Sequence, residues 1–519
     1  MKNRTRGLAI ASALTLTSLV LAGCSASGGT GDASASSTPV DGGTINWAYT
    51  SAPANWDPLV IGGTSGTYLT TPIYASLFTL DTDHNIVPDL ATGFDYNTAG
   101  DQITIHLKTG LTFQDGTPVN AAAVKFNIDR IFSQTNSALK AVYADVKDAV
   151  VIDDATVQLD LKQTDYQIPY ILAEKTGQLE SPTAVQKDPV AFNASGPVGA
   201  GPFIVEELVP GDHVTLKKWD GYWNAANIHL DTIRINFGVS PTTLVSALQS
   251  GVDNFATLTP DLVDQATQAG LTVQDTKSWG SSFLSVNTNQ APFNNPAVVK
   301  AIRLATNPDQ YVQQLALGKG QSNYQPFPQG HVDFVQSLTT ENTYNVDAAK
   351  KALSDAGVDP SSISFDVNYL TGQFDKVGEV LKSQLAAIGI TVNLKALDTA
   401  TWAKGYYGKT FGASLFGWVG RDSPVSAISD QYDSLGVLNL SSPTVSPDLT
   451  AALSKARSTP LDSPDYDANL QAAAKVGYET ASNISLYTYS TPVARGAGVS
   501  ELPAVDGFID WTGVYVSDN

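Results

Sequence analysis

Residues 103–119 read Ile103-Thr104-Ile105-His106-Leu107-Lys108-Thr109-Gly110 and, two residues further on, Phe113-Gln114-Asp115-Gly116-Thr117-Pro118-Val119. In the first half, apolar residues alternate with polar ones, which predicts a β-strand. The group Asp115-Gly116-Thr117-Pro118 is typical of a turn, and residues 120–132 then carry apolar residues at helical spacing. A strand, a turn and a helix in direct succession predict an α/β structure.

The same succession of strands and helices continues along the chain. Further strands are predicted at 44–49, 156–161, 232–237, 364–369 and 391–397, and helices at 242–249, 298–304, 347–355 and 374–387. Gly251, Gly357 and Gly389 follow three of these helices, as expected of residues that end a helix. The pattern predicts an α/β fold with mixed sheets and more than one lobe.

Composition excludes several classes of function. The 519 residues are 42% hydrophobic and 15% charged, which is typical of a globular protein. The 30 Lys and Arg against 50 Asp and Glu argue against nucleic-acid binding, since a phosphate backbone requires clustered cations. The single cysteine, Cys24, excludes an internal disulfide, and the five histidines are scattered along the chain. We therefore expect no metal site and no cofactor.

The N-terminus has the features of an export signal. Lys2, Arg4 and Arg6 form a basic head, and an apolar run from Leu8 to Ala22 follows. This run is too short for a comfortable membrane span and suits a signal peptide. Leu21-Ala22-Gly23-Cys24 then resembles the bacterial lipobox, in which the cysteine receives a lipid before cleavage. The alternative is an ordinary signal peptide with a chance cysteine.

A short tether is predicted after this signal. Residues 25–40 are rich in Ser, Gly, Ala and Thr, a composition typical of flexible linkers. We therefore expect a signal peptide at 1–23 and a tether at 24–41 that is lipid-anchored through Cys24. The body of the protein would be held at the outer face of the cell membrane.

Several motifs resemble, in the same order, a known family of receptors. They are Gly42-Gly43-Thr44-Ile45, Trp56-Asp57-Pro58, Ile73–Phe78, Ile86–Ala91, the two halves of 103–119, Gly196–Phe203, Tyr222-Trp223, Leu248–Gly251, and Val286–Asn289 with Pro292-Phe293. The chain resembles the family 5 extracellular solute-binding proteins, the peptide/nickel-type receptors of ABC importers. The resemblance covers residues 42 to 515.

The resemblance implies a two-lobed periplasmic-binding-protein-like fold of the large type, with the ligand in a cleft between the lobes. Lobe I would combine 42–285 with 495–519 and carry an inserted subdomain at about 80–195, and lobe II would span 286–494. The implied protein is a monomer that binds a small organic solute, possibly an oligopeptide, and delivers it to ABC permease subunits. Most of the motifs would be scaffold, with Gly199 and Gly201 allowing two chain segments to approach closely.

An extracellular hydrolase and a sensory lipoprotein are the alternatives to a transport receptor. The sequence offers little for catalysis. Gly408-Lys409-Thr410 has Ala403 where a Walker A loop needs its first glycine. Gly62-Gly63-Thr64-Ser65-Gly66 lacks the spacing of a nucleophile elbow. Asp81, Asp83 and Asn85 begin like a calcium loop, but Ile86 replaces its glycine, so we predict a plain turn.

Four segments carry the aromatic and polar residues that a binding cleft needs. The candidate ligand-binding residues are Tyr49, Ser51, Trp56, Trp279, Ser281, Ser282, Trp402, Tyr406, Gly417, Trp418, Arg421 and Asp422. Trp402 and Tyr406 are expected on a helix, and the segment from Phe416 to Pro424 after a strand. For the tryptophans and tyrosines, the alternative is packing in the core.

Arg421 is where the chain departs from its peptide-binding relatives. Those relatives resemble Trp-x-x-Asp-Tyr, and the aspartate pairs with the peptide's amino group. In this chain the third residue after Trp418 is Arg421, and Asp422 follows it. A guanidinium suits a carboxylate or another anion, so Arg421 is predicted to anchor such a group of the solute. The alternative is that Arg421 pairs with Asp422 or another local acid. An organic solute is favoured over bare nickel.

Overall fold

The computed structural model describes residues 39–519 except 54, 62–67, 138, 188, 190–195, 277, 421–422, 442–445, 481–482, 506–507 and 518–519. The predicted signal peptide, Cys24 and most of the tether lie outside the described residues, as do Arg421 and Asp422. In the part that is described, none of the helices combines the length and the apolar composition required to cross a membrane.

Strands and helices alternate along the chain as the sequence predicts. The strands are β1 Thr44–Ala48, β2 Phe78–Leu80, β3 Ile86–Pro88, β4 Ala91–Tyr96, β5 Gln102–Leu107, β6 Val146–Asp153, β7 Thr156–Leu161, β8 Phe203–Val209, β9 His213–Lys218, β10 Thr232–Asn236, β11 Phe255–Thr257, β12 Thr272–Thr276, β13 Ser281–Val286, β14 Gly320–Gln321, β15 Ser364–Leu370, β16 Thr391–Leu397, β17 Ala413–Trp418, β18 Asn483–Tyr489, β19 Thr491–Arg495, β20 Ala504–Val505 and β21 Phe508–Ile509. The α-helices are α1 Ala121–Ser133, α2 Ile168–Ile171, α3 Glu174–Gly177, α4 Pro182–Lys187, α5 Pro241–Gln249, α6 Val263–Gln268, α7 Pro296–Ala305, α8 Pro308–Leu315, α9 Val346–Asp355, α10 Asp375–Ala386, α11 Thr399–Tyr407, α12 Pro424–Tyr432, α13 Pro447–Arg457 and α14 Tyr466–Glu479.

The first sheet has seven strands in the order β12-β19-β11-β1-β10-β9-β8. Its central strand β1 lies parallel to β10 on one side and to β11 on the other. Trp47 of β1 is buried. Its ring packs against that of Trp511, which covers this face of the sheet. Strand β19 runs antiparallel between β11 and β12, so residues 491–495 rejoin the sheet formed by the first half of the chain.

The second sheet has six strands in the order β14-β18-β13-β17-β15-β16. All of its strands come from residues 281–489. Strand β13 is buried along its whole length, since β17 and β18 flank it and helices cover it. In the predicted strand 391–397, which forms β16 at the sheet edge, apolar Val392 is buried and polar Thr391 and Asn393 are exposed.

A third, four-stranded sheet has the order β4-β5-β7-β6 and is formed by residues that the sequence assigns to an inserted subdomain. Helix α1 packs on it through Val124, Ile128 and Ile131. The helix begins after Asn120, whose side-chain oxygen accepts the N–H of Ala123 at 3.0 Å.

The glycine segment predicted to make a close approach does so. The N–H of Gly201 donates to the main-chain oxygen of Ile73 at 2.9 Å. A Cβ atom at Gly199 would lie 2.3 Å from that same oxygen, and one at Gly201 would lie 2.6 Å from the carbonyl carbon of Ile73. The turn predicted at Asp115–Pro118 is also present, with Gly116 at φ +83°.

The region at about 80–195, predicted to be an inserted subdomain and here called the inserted region, contacts the second half of the chain directly. Gln167 donates from Nε2 to the hydroxyl of Tyr466 at 2.9 Å and accepts the N–H of Val425 at 3.3 Å. The N–H of Tyr166 donates to the main-chain oxygen of Arg457 at 3.0 Å. The lobe limits given above stay predictions, and these bonds cross the limit predicted between lobes I and II.

Candidate ligand-binding site

Six aromatic rings meet where the inserted region touches the second half of the chain. We call them the boundary cluster: His84, Tyr170, Trp279, Phe327, His331 and Trp418. His331 is central, with its ring centroid 5.7 Å from those of His84 and Trp279, 5.6 Å from Trp418 and 5.3 Å from Phe327. Tyr170 stacks on His84 at 5.7 Å. Such a group of rings suits the walls of a site for a small organic molecule.

Strand register brings the two predicted tryptophans together. Ser281 at the start of β13 pairs with Trp418 at the end of β17, and Ser282 pairs with Gly417. Trp279 lies two residues before Ser281, so both tryptophans lie at the same end of the sheet. Gly420 has φ +86°, and a Cβ atom there would lie 2.5 Å from the Cβ of Trp279. A side chain at position 420 would collide with Trp279, so this position just after β17 requires glycine.

His84 enters the cluster from the tip of the β2–β3 hairpin. The carboxylate of Asp81 accepts the N–H groups of Asp83 and Asn85 at 2.8 Å each, which confirms a turn where the sequence suggested one. His84 adopts φ +68°, a left-handed conformation that costs free energy for a residue with a Cβ atom. The turn thus holds a strained histidine whose buried ring contacts the second half of the chain.

Asp333 is a buried acid next to this cluster. Its side chain is 0% exposed, and neither carboxylate oxygen accepts a hydrogen bond from the residues that the structure describes. His331 Nδ1 lies 3.6 Å from Oδ2 and accepts the main-chain N–H of Asp333 at 3.2 Å. Burial, reinforced by the charge of Asp467, holds the pKa of Asp333 well above its ordinary value.

Trp402 and Tyr406 lie on α11, as predicted, and pack on each other at 4.8 Å. The indole Nε1 of Trp402 donates to Ser414 Oγ at 3.1 Å, and the hydroxyl of Tyr406 donates to the main-chain oxygen of Leu438 at 3.0 Å. Their polar atoms are therefore bonded within the fold, as the core-packing alternative expects. That they contact a solute stays a prediction.

The three residues predicted near the first strand lie beside the seven-stranded sheet. Tyr49 follows β1 and makes an edge contact with Trp47 at 5.4 Å. Trp56 is buried, and its main-chain oxygen accepts the hydroxyl of Tyr74 at 2.8 Å. Ser51 is exposed. Their contact with a solute also stays a prediction.

Sequence reasoning did not select His84, Tyr170, Phe327, His331 or Asp333. They lie in loops, short helices and turns whose positions in space do not follow from any periodicity. The one local signal was the pair His331 and Asp333, two residues apart in a loop. In the described part of the chain, no group of three or more His, Cys, Asp or Glu residues could hold a metal ion.

Comparison with known proteins identifies the family. The model of the bacterial extracellular solute-binding proteins, family 5 (middle region), matches residues 85–437. The chain belongs to this family. The resemblance drawn from the motifs is thereby confirmed.

Curated relatives and solved structures agree with the assignment. The glutathione-binding protein GsiB of Salmonella typhimurium (strain LT2) is 30% identical over 375 residues, which cover 68% of this chain and 69% of GsiB. The structure of DppA from Helicobacter pylori, in complex with the peptide STSA, superposes with a TM-score of 0.80 at 21% identity and covers 92% of this chain and 99% of DppA. AgaA from A. tumefacien R10, in complex with agropinic acid, gives 0.80 at 22%, with the same coverage.

The predicted two-lobed periplasmic-binding-protein-like fold is confirmed by these superpositions. The protein is a substrate-binding protein of an ABC importer, and its family consists of receptors rather than enzymes. The receptor prediction is therefore confirmed over the hydrolase alternative.

Proposed function

We propose that this protein is a lipid-anchored receptor that encloses a small, peptide-like organic solute at the boundary cluster and delivers it to the permease. The observation that carries the proposal is the contact of His84, from the inserted region, with His331, from the second half of the chain. A solute bound among these rings would touch both parts at once. Its binding would therefore favour the closed arrangement that a permease can recognise.

The solute class rests on the relatives and on the chemistry of the cluster. GsiB is named for glutathione, and the DppA structure holds a short peptide. Rings of Trp279, Phe327 and Trp418 offer apolar faces for side chains of such a molecule. We propose that the lobes have the limits predicted from the sequence. We further propose that the receptor is a monomer and binds one solute per chain.

Arg421 is the proposed anchor for an anionic group of the solute. It follows Trp418, a member of the boundary cluster, by three residues in the sequence. A carboxylate and a guanidinium can form two parallel hydrogen bonds. Pairing of Arg421 with Asp422 remains the alternative.

The decisive experiment identifies what the protein carries. The folded protein is analysed by native mass spectrometry, the solute released on unfolding is identified, and its binding to stripped protein is measured by calorimetry. We expect one unaltered solute per chain and a higher melting temperature, with about 2.7 kcal/mol of stabilisation at a hundredfold excess over Kd. Trp418→Ala should weaken binding by about tenfold or more, and the exposed-site control Tyr344→Ala should not. A chemically changed product formed at catalytic rates would overturn the receptor proposal.

Arg421→Ala tests the anchor separately. Loss of a charged hydrogen bond in a closed site should weaken solute binding by more than about tenfold. Arg421→Lys should recover only part of the loss, because lysine lacks the planar fork. If Arg421→Ala instead leaves the affinity intact and lowers the melting temperature, Arg421 is a structural ion-pair partner.

A further inference from the structure

Charged side chains form another contact between the inserted region and the second half of the chain. Arg457, the last residue of α13, lies against two carboxylates of the inserted region. Its Nη1 is 3.6 Å from Oδ2 of Asp145, and its Nε is 3.9 Å from Oδ2 of Asp165. We call these three residues the charged latch. None of them belongs to the boundary cluster.

Asp165 is the buried member of the latch. Only 3% of its side chain is exposed, against 23% for Asp145 and 28% for Arg457. Its Oδ1 accepts the N–H of Gln167 at 2.8 Å, and its main-chain oxygen accepts the hydroxyl of Tyr96 at 2.8 Å. Both bonds lie within the inserted region, so they do not depend on contact with the second half of the chain.

The second half of the chain covers the segment that Asp165 begins. The N–H of Tyr166 donates to the main-chain oxygen of Arg457 at 3.0 Å, and Gln167 bonds to the hydroxyl of Tyr466 on α14. Separation of the two parts would break these bonds and admit water to the carboxyl of Asp165.

Titratable groups surround this carboxyl from both parts of the chain. Among the described residues they are Asp145, Tyr96 and Tyr166 of the inserted region and Arg457 and Tyr466 of the second half.

These surroundings decide the protonation of Asp165. Burial is the largest influence and raises the pKa of its carboxyl to about 7, although the N–H of Gln167 and the charge of Arg457 act to lower it. Asp145 raises it further, because two neighbouring carboxylates resist ionising together. On separation, hydration lowers the pKa of Asp165 by more than the loss of Arg457 raises it, since burial outweighs the guanidinium. The carboxyl therefore binds its proton more tightly when the two parts are in contact.

We propose that the charged latch makes closure of the receptor depend on pH, so that the protein closes on its solute more readily in acidic surroundings than in neutral ones. Closure takes up a proton at Asp165. The equilibrium constant for closure therefore falls as pH rises from the ordinary pKa of an aspartate towards about 7, by at most about tenfold per pH unit. Above that range both carboxylates are ionised, and Arg457 compensates only one of them. The inference rests on the proposed function, because it takes closure to accompany solute binding.

The test follows closure in the full mature chain, stripped of solute, by small-angle scattering at pH 5 and pH 8. The wild-type particle should be larger at pH 8. Asp165→Asn fixes the neutral form and keeps an oxygen that accepts the N–H of Gln167, so its particle should expand less between the two pH values. Asp148→Asn is the matched control, because Asp148 is an exposed acid of the inserted region, and it should expand as the wild type does.

Arg457→Gln tests the cation of the latch. At pH 8 it leaves two ionised carboxylates without their guanidinium, so its particle should be larger than that of the wild type. At pH 5, where Asp165 is protonated, the difference should be smaller. Lys455→Gln removes the same charge from an exposed position on the same helix and should match the wild type at both pH values.

Four results would overturn the proposal. They are a wild-type particle of one size at both pH values, an Asp165→Asn particle that expands as much as the wild type, an Arg457→Gln particle that matches Lys455→Gln at pH 8, and an Arg457→Gln particle enlarged equally at both pH values. The last would make Arg457 a purely structural contact. The measurement requires no solute, so none of these results alters the receptor proposal, which depends on the solute that the protein carries.

Discussion

Asp333 differs in its partners from two other acids that are deeply buried in the fold. Asp57 and Glu180 are buried too, but both form ion pairs with Arg130. Asp333 faces the phenols of Tyr170 and Tyr466 and the charge of Asp467, and Nδ1 of His331 lies 3.6 Å from its Oδ2. Burying a charge in such surroundings is costly, so the carboxyl holds its proton at higher pH than an exposed one does.

This raised pKa predicts how stability depends on pH. Above the ordinary pKa of an aspartate, the unfolded chain releases a proton that the folded protein retains. The free energy of unfolding therefore falls as pH rises towards the folded-state pKa, by at most about 1.4 kcal/mol per pH unit. Asp333→Asn removes this dependence. Denaturant melts of the ligand-free protein between pH 5 and 8 should show a shallower fall for Asp333→Asn than for the wild type.

Asp264→Asn is the control for this measurement, because Asp264 is exposed on α6. It should leave the slope of stability against pH unchanged. Equal slopes in Asp333→Asn and in the wild type would mean that Asp333 does not carry the proton.

At the scale of elements, residues 199–203, which lead into β8 of the seven-stranded sheet, approach residues 72–73 closely. The N–H groups of Gly201 and Phe203 donate to the main-chain oxygens of Ile73 and Pro72 at 2.9 and 3.0 Å. Two backbone segments bonded at this distance leave no room for a side chain between them. The glycines are therefore structural, as predicted for these motifs.

Gly201→Ala should destabilise the fold by about 1–3 kcal/mol, because the new Cβ atom overlaps backbone that cannot move without losing hydrogen bonds. The loss is measured by denaturant unfolding. Gly93→Ala in β4 is the matched control, since a Cβ atom there would meet nothing within 4 Å, and its stability should be unchanged or slightly higher. A Gly201→Ala variant as stable as the control would show that the two segments can separate at little cost.

At the scale of the whole molecule, Gln167 links the inserted region to the second half of the chain through both ends of its amide. Gln167→Ala removes two hydrogen bonds that exist only when these parts are in contact. We expect the closed arrangement to lose population and solute affinity to fall by about tenfold, which corresponds to 1.4 kcal/mol. Calorimetry measures the affinity, and small-angle scattering should show a larger ligand-free particle.

Gln163→Ala provides the comparison, because the amide of Gln163 bonds to Asp145 within the inserted region. It should change neither the affinity nor the size of the particle. An unchanged affinity in Gln167→Ala would mean that these bonds do not contribute to closure.

Membrane attachment is also a property of the whole molecule, and it depends on Cys24 in the proposed lipobox. Cys24→Ala should leave the protein unprocessed or released from the membrane, while the body from about residue 41 folds normally. One acyl chain binds a membrane only marginally, so stable attachment requires at least two chains on the processed cysteine. Cell fractionation and mass spectrometry of the mature N-terminus check this, and an unmodified Cys24 in native mature protein would contradict it.

Local patterns in the sequence predict many of the strands and helices, and its motifs identify the family. The strand Thr391–Leu397 and the helix Val346–Asp355 were predicted almost to the residue, because alternation, helical spacing and end signals are local. The motifs identified the family for a similar reason, since turns and close approaches demand particular residues at particular places. One boundary was wrong: Phe416 to Trp418 belong to β17 itself rather than following it, because pairing with β13 extends the strand.

Which side chains share a site follows instead from long-range packing. Trp402 and Trp418 look alike in the sequence, yet the indole of Trp402 is bonded to Ser414, and the ring of Trp418 meets His331. His84 and His331 come together because a strained hairpin tip reaches a loop far along the chain. The position of Asp333 beside them, and hence its raised pKa, follows from burial among residues distant in sequence. No local pattern contains that information, since burial and long-range contact arise only when the separate elements pack.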